Sequence, residues 1–396
     1  MCYTNISKIF GIFCNFEQNF RYIEERNYAM SKSISEIDKN LAVETVGDLP
    51  IVFRNALEDP FSIHGLMDPH DGAPYHRIPQ PVADATNDGV RWLNLHTSGG
   101  RVRFKTTSPH LVVRVKLSSV GLMPHMTLVG TTGADVYLGG YEGYPGGYRY
   151  FASCMTEGGN DAAIRMTENK GYTNMVWLPV DGVKDVLINL PLYGGIEELW
   201  IGLSPDATVE PADPYRDLLP TIYYGSSITQ GGCASRPGNN YPNILSRKYN
   251  VDFRNLGFSG SARGEQAISD YIASQPMSAF VFAYDHNAPT PEHLAATHEP
   301  MYLNIRASHP DLPVIFITRP GFRYNADEVA RRNIVLNTYN NAKARGENVY
   351  FVDGETIFGI FGGDGGSVDG CHPNDLGFAC VAAALDPIFA EIYGKM

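Results

Sequence analysis

This sequence predicts an α/β chain: a three-layer, doubly wound parallel sheet preceded by an all-β sandwich or jelly-roll domain. Three observations lead there. Short alternating apolar runs, separated by turns rich in Gly, Ser, Asp and Pro, fill the region from about Leu49 to about Val209. From about Leu218 the pattern changes, and β-type runs alternate with helix-length segments. Between the two regions, Ser204 to Leu219 holds Pro205, Pro211 and Pro214, with Pro220 just beyond, as a linker would.

In the first region Val90–Leu95, Arg101–Lys105 and His110–Leu117 alternate as strands do, followed by Asn174–Leu178, Val186–Leu190 and Leu199–Leu203. Short strands at this spacing argue for a sandwich or jelly roll over residues 49–209. In the second region Thr221–Tyr224 precedes a helical segment Tyr241–Tyr249, and Phe253–Leu256 precedes Glu265–Ser274. Ala279–Ala283 precedes Pro291–Ser308, and Val314–Ile317 precedes Ala326–Ala344. Val349–Val352 runs through a glycine-rich loop into Asn374–Tyr393. Five such repeats over residues 218–396 predict a parallel sheet with helices on both faces.

Composition narrows the function classes. The chain has 396 residues and a net charge of −12, which repels phosphate backbones and argues against nucleic acid as a partner. No run reaches the ~18 consecutive apolar residues of a spanning helix, so no membrane partner is expected. Cys2, Cys14, Cys154, Cys233, Cys371 and Cys380 form no C-x-x-C pair and fit a reducing compartment. Residues 1–48 read as a flexible N-terminal extension, with a more typical start at Met30. The short apolar run Ile9–Phe13 is followed by charges and no cleavage site, so a cytoplasmic location is expected.

In an open parallel sheet the active site lies beyond the carboxyl ends of the strands. Those positions carry Gly225-Ser226-Ser227, Gly257-Phe258-Ser259-Gly260 and Asp285-His286-Asn287, with Asp369-Gly370-Cys371-His372-Pro373 before the last helix. These parts suffice for acyl transfer. A serine needs an adjacent base, histidine is the usual one, and a carboxylate fixes its tautomer. Backbone N–H groups and an asparagine amide can hold the oxyanion. Pro373 suits the first helical position and pushes His372 into an extended conformation, turning its imidazole toward the sheet edge.

The four blocks in this order resemble the SGNH, or GDSL, hydrolase superfamily of serine esterases. That resemblance implies a flavodoxin-like sheet with Ser227 as nucleophile, Gly260 and Asn287 in the oxyanion hole with the Ser227 N–H, and Asp369 and His372 as acid and base. Ser226 stands where the family's loop-supporting aspartate does, and Asp285-His286-Asn287 replaces the commoner Gly-x-Asn-Asp. Upstream, His96–Phe104 and Gly133-Ala134-Asp135-Val136-Tyr137 are similar to a β-rich domain that precedes some of these esterases and is named for Gly-x-Asp-Leu-Tyr. Two-domain members of this kind are often carbohydrate O-acyl esterases, which implies a small-molecule or carbohydrate ester as substrate.

Each residue also has a plainer reading. Gly-Ser-Ser and Gly260 can be turns, and Asp369 an N-capping loop. Asn287 can cap the next helix, and His286 can line a pocket or fill its loop. Arg263 and Arg319 can bind substrate or form salt bridges, and Asp135 and Tyr137 stabilise the β-domain or its contact with the catalytic one. His293 and His298 are five apart, about 140° on a helix, which does not match the i, i+4 spacing of H-E-x-x-H. His64, His70 and His76 lie in a Gly/Pro-rich stretch without a ligand pattern, so no metal and no cofactor are expected. An acyltransferase with the same site and a carbohydrate-binding protein with an inactive hydrolase domain stay open as alternatives. The oligomeric state is not legible.

Overall fold

The computed structural model describes residues 43–394, apart from 69–73, 160, 217 and 362. Residues 1–42, with Met30, Cys2 and Cys14, lie outside the described residues, and so does His70. The β-rich part begins earlier than Leu49. Its strands are β1 (Val43–Val46), β2 (Leu49–Asn55), β3 (Ser62–His64), β4 (Arg101–Thr106), β5 (His110–Ser119), β6 (Ala134–Leu138), β7 (Arg149–Cys154), β8 (Gly171–Trp177), β9 (Lys184–Asn189), β10 (Gly195–Leu203) and β11 (Val209–Glu210). One antiparallel sheet runs β1-β2-β10-β5-β8, and the other runs β11-β4-β9-β6-β7 with β3 on β4. Val113, Val115 and Ile201 of the first sheet share a core with Phe104, Val136 and Ile188 of the second. Alternation along each strand supplies those inward positions, as a sandwich requires.

Two helices interrupt the β-region, α1 (Gln80–Thr86) and α2 (Asp88–Leu93). The strand expected at Val90–Leu95 is corrected by α2. The Asn87 side chain accepts from the Val90 N–H and caps the helix start, while Val90 and Leu93 are buried at i, i+3. Trp92 between them is apolar but exposed, and it disguised the helical period. Two further short helices, α3 (Leu128–Thr131) and α4 (Ala162–Asn169), follow.

The second half contains β12 (Thr221–Gly225), α5 (Ser227–Gln230), α6 (Tyr241–Tyr249), β13 (Phe253–Gly257), α7 (Gln266–Ser274), β14 (Ala279–Ala283), α8 (Pro291–Ser308), β15 (Val314–Ile317), α9 (Ala326–Ala344), β16 (Val349–Val352), α10 (Gly354–Ile357) and α11 (Asp375–Tyr393). All strand pairs are parallel, in the order β13-β12-β14-β15-β16. Ile222 and Tyr224 of β12 pack with residues of α7, α8 and α9 on one face. Tyr223 packs with residues of α6 and α11 on the other. The strands are therefore apolar on both sides, as a three-layer sheet demands. Helix α11 is long and apolar enough to cross a membrane, but here Phe378, Val381, Leu385 and Phe389 pack on the sheet.

From β12 the chain steps to β13 on one side and then to β14 on the other. The crevice where direction reverses is where such sheets place a site. Three buried ion-rich contacts hold the sandwich against this crevice. The fully buried Arg77 guanidinium donates to the carbonyls of Gly257 and Leu93, each at 2.5 Å, and lies 4.3 Å from the Phe258 ring centre. Arg101 pairs with Asp252. Asp135 accepts from Arg236 Nη1 at 3.0 Å, from the Gly238 N–H at 2.9 Å and from Asn189 at 2.8 Å. Tyr137 also bonds Arg236. Ile78, Ala83, Val90 and Leu93 of the α1–α2 segment join the core of the parallel-sheet half directly.

Candidate active site

Ser227 is the first residue of α5, two residues past the end of β12. A first-turn N–H has no intrahelical acceptor, so the Ser227 N–H faces outward as a donor. Ser226 is the N-cap, and its hydroxyl accepts from the Ile228 N–H at 3.2 Å. A serine here thus braces the turn by capping it. Behind it, Gln230 is fully buried, donates to the Leu192 carbonyl at 3.1 Å and accepts from the Ser259 N–H at 3.0 Å. Tyr193 of the β-domain donates to the Ser227 carbonyl at 3.3 Å.

His372 reaches this serine from the loop before α11. Its Nε2 lies 2.9 Å from Ser227 Oγ, and its Nδ1 lies 2.8 Å from Asp369 Oδ2. The other Asp369 oxygen accepts from the His372 N–H at 2.7 Å and the Cys371 N–H at 2.9 Å. Partial burial acts to raise the Asp369 pKa, but these two N–H groups and the imidazole outweigh it and pull the carboxyl down to about 2. Asp369 is therefore an anion at any ordinary pH. The helix starts later than the sequence suggests. Asn374 is the N-cap, with its side chain accepting from the Gly377 N–H, so Pro373 lies outside the first helical position. Pro373 bridges Ser367 instead, and the His372 carbonyl accepts from the Val368 N–H at 2.9 Å.

Gly260 follows β13 with φ +66°, a left-handed conformation that favours glycine, and a Cβ there would meet open space. Backbone conformation, not crowding, explains the residue. Its N–H donates to no protein acceptor among the described residues. Asn287 follows β14, and its Nδ2 donates to the Phe258 carbonyl at 2.8 Å, tying the two loops together with one of its two amide hydrogens. It does not cap α8; Thr290 does, accepting from the His293 N–H at 3.2 Å.

The remaining predicted residues sit around this centre in supporting positions. His286 is half-buried with Nε2 3.2 Å from Cys371 Sγ. Burial first, then the positive field of Arg319, Arg331 and His372, pushes its pKa down to about 4, so its imidazole is neutral. Arg319 is buried against Glu328 and donates to the Gly370 carbonyl at 3.4 Å; its N–H donates to Asp285. It therefore forms the salt bridge and stiffens the Asp369–His372 loop. Arg263 is exposed and donates to the Gly260 carbonyl at 3.2 Å. His298 is buried and stacked on Phe282 with its centroid 4.4 Å away, and His293 bonds the Arg263 carbonyl. Neither makes a metal-type cluster with the other.

His125 was not legible in advance. It comes from the loop between β5 and α3, and its ring centre lies 5.6 Å from that of His372. With Thr127 it forms the β-domain wall of an open cavity of about 510 Å³, whose opposite wall includes Cys233, Ser235, Asp375 and Leu376. Its only sequence signal was a histidine in Met-Pro-His-Met, which has no period and no partner nearby in the chain.

Residues 219–390 match the family described as GDSL-like Lipase/Acylhydrolase, and residues 51–209 match the GxDLY family, the N-terminus of SGNH-hydrolase-type esterases. No curated protein matches the chain. Among solved structures, it is similar to a protein described as a GDSL-like lipase from Bacteroides ovatus, with 26% identity and a TM-score of 0.75 over 86% of this chain and 98% of that one. A salicylyl-acyltransferase from a tetracycline biosynthetic pathway gives 19% identity and a TM-score of 0.67 over 86% of this chain and 97% of that one. A family two carbohydrate esterase from Cellvibrio japonicus gives 11% and 0.54 over 87% and 98%. At those last two identities the likeness is one of fold. Residues 219–390 are thus a GDSL-like lipase/acylhydrolase domain, of a family of ester hydrolases, behind an N-terminal GxDLY domain over residues 51–209.

Proposed function

We propose that the protein is a serine esterase that removes short acyl groups, acetyl first among them, from a carbohydrate or similar polyol. The observation that carries this reading is the continuous Ser227–His372–Asp369 hydrogen-bond chain, at 2.9 and 2.8 Å. In it, Ser227 Oγ attacks the ester carbonyl while His372 Nε2 takes its proton. Asp369, held as an anion, fixes the Nδ1–H tautomer and stabilises the imidazolium. The N–H groups of Ser227 and Gly260 and the free amide hydrogen of Asn287 receive the oxyanion. The imidazolium then protonates the departing alkoxide, and the neutral base activates water against the acyl-enzyme. No metal takes part. The open cavity of about 510 Å³ between the domains has room for a sugar alcohol, and proteins of similar fold include carbohydrate esterases.

The test is a hydrolysis screen over acetyl, butyryl and octanoyl esters and acetylated sugars, run with Ser227→Ala beside the natural chain. Turnover falling with acyl length, abolished in Ser227→Ala and unchanged by EDTA, supports the proposal. Equal rates in the variant would overturn it. Adding alcohols as competing acceptors separates hydrolysis from acyl transfer, since a transferase gives mainly the new ester.

A further inference from the structure

Three donors from the two domains meet beside the Ser227–His372 pair. His125, Cys233 and His372 each offer one ligand atom, and these atoms lie within 4.8 Å of one another. Cys233 is buried, and its N–H donates to the Pro373 carbonyl at 2.9 Å, which fixes it to the His372 loop. His125 is half-buried, with its ring centre 5.6 Å from that of His372. We propose that this cluster is an inhibitory site for a zinc-class divalent metal ion, bound by the two imidazoles and the Cys233 thiolate.

The ligand set argues for that class of ion. Two imidazole nitrogens and one thiolate suit zinc and its neighbours, and not magnesium or calcium, which take oxygen. Tetrahedral bonds of ~2.0–2.1 Å to nitrogen and ~2.3 Å to sulfur set donor separations of roughly 3.3–3.8 Å. The observed spread closes to that with a shift of about 1 Å in the donor positions. His372 already carries the outer partner a metal-bound histidine takes, because Asp369 accepts from its Nδ1 at 2.8 Å. That leaves Nε2 as the ligating atom. On binding, the Cys233 S–H bond breaks, its proton leaves to solvent and a sulfur–metal bond forms; each imidazole gives a lone pair, and nothing is oxidised or reduced. The Nε2 lone pair is the one that takes the Ser227 proton. Metal binding and base catalysis therefore exclude each other.

The inhibitory consequence rests on the esterase reading above, whereas the metal site does not, and the experiment keeps them apart. The full chain is titrated with cobalt(II) while absorption is followed, and ester hydrolysis is measured separately with zinc. The expected result is one ion per chain with a thiolate-to-cobalt charge-transfer band, lost in Cys233→Ser. Zinc should stop hydrolysis in step with occupancy, EDTA should restore it, and magnesium should do nothing. Measured against its own zinc-free rate, His125→Ala should need at least ~10-fold more zinc for the same fractional inhibition. A band that survives in Cys233→Ser, or unchanged zinc sensitivity in His125→Ala, overturns the site. A chain that shows the band but hydrolyses no ester supports the site and overturns its inhibitory role along with the esterase proposal.

Discussion

Asn287 spends one amide hydrogen on the Phe258 carbonyl, so its replacement has two separable effects. Losing an oxyanion donor typically lowers kcat by about 10²–10³, with KM little changed. Losing the bond to Phe258 costs about 1 kcal/mol of stability. Asn287→Ala should show both in paired kinetics and thermal melts; a lowered Tm with natural kcat would leave Asn287 a loop tie only. Asp369→Asn should lower kcat by on the order of 10⁴, because an amide favours the wrong His372 tautomer. Asp285 supplies the pH prediction. Burial raises its pKa to about 6, only partly offset by the N–H groups of Arg319 and His286 and by the Arg319 and Arg331 charges. An unfolded aspartate titrates near ~3.9. Between those values the folded chain holds the extra proton, so this group's contribution to stability falls as pH rises from about 4 to about 6 and stays lost above that. Asp285→Asn should gain on the natural chain across that window, by up to roughly 3 kcal/mol, and then run parallel to it. Denaturant titrations at pH 4, 6 and 8 measure this; a constant offset would refute it. These roles were legible to different degrees. Asp369 and His372 are three apart and announced themselves locally, whereas His125 meets His372 only through the fold, and Gln230 is engaged by residues remote in sequence.

At the scale of elements, the helices and strands after Leu218 were legible because each strand is a compact apolar run and each helix long enough to show its own period. Ala279–Ala283, Pro291–Ser308 and Ala326–Ala344 fall where that alternation puts them. The region of α1 and α2 was not, because helices of 7 and 6 residues show barely two turns of periodicity and their buried positions face another domain. Helix starts were the other weak point. Pro373 reads as the first residue of α11, yet Asn374 holds that cap through a side-chain bond that only the folded turn reveals. Thr290 makes a contrast to Asn287, three residues away. Thr290→Ala removes the α8 cap and should cost about 1 kcal/mol of stability while kcat stays at the natural value. A fall in kcat comparable to that of Asn287→Ala would mean that the β14–α8 loop moves as one body and that the Asn287 effect is not specific to its amide.

Across the whole molecule, the sandwich is part of the catalytic domain's architecture. It carries Arg77 onto the carbonyls at the end of β13, Tyr193 onto the Ser227 carbonyl and His125 to the rim of the site. The link with the most to lose is Asp135. Its carboxylate is wholly buried, and burial raises its pKa even against Arg236, Asn189, Arg247 and the Gly238 N–H. A buried anion of this kind adds little net stability as a pair, but removing it leaves its partners exposed to the full cost of burial. Arg236 would keep Tyr137, while the buried Gly238 N–H would have no acceptor. Asp135→Ala should therefore lose about 3–5 kcal/mol. Asp135→Asn, which keeps one oxygen, should lose less. Because the α1–α2 residues belong to the catalytic core, the loss should not come off one domain alone. Calorimetry of Asp135→Ala should show a single transition moved to lower temperature. Two separated transitions, with the esterase half melting at its natural temperature, would show that the two domains fold independently and that the interface only positions the site.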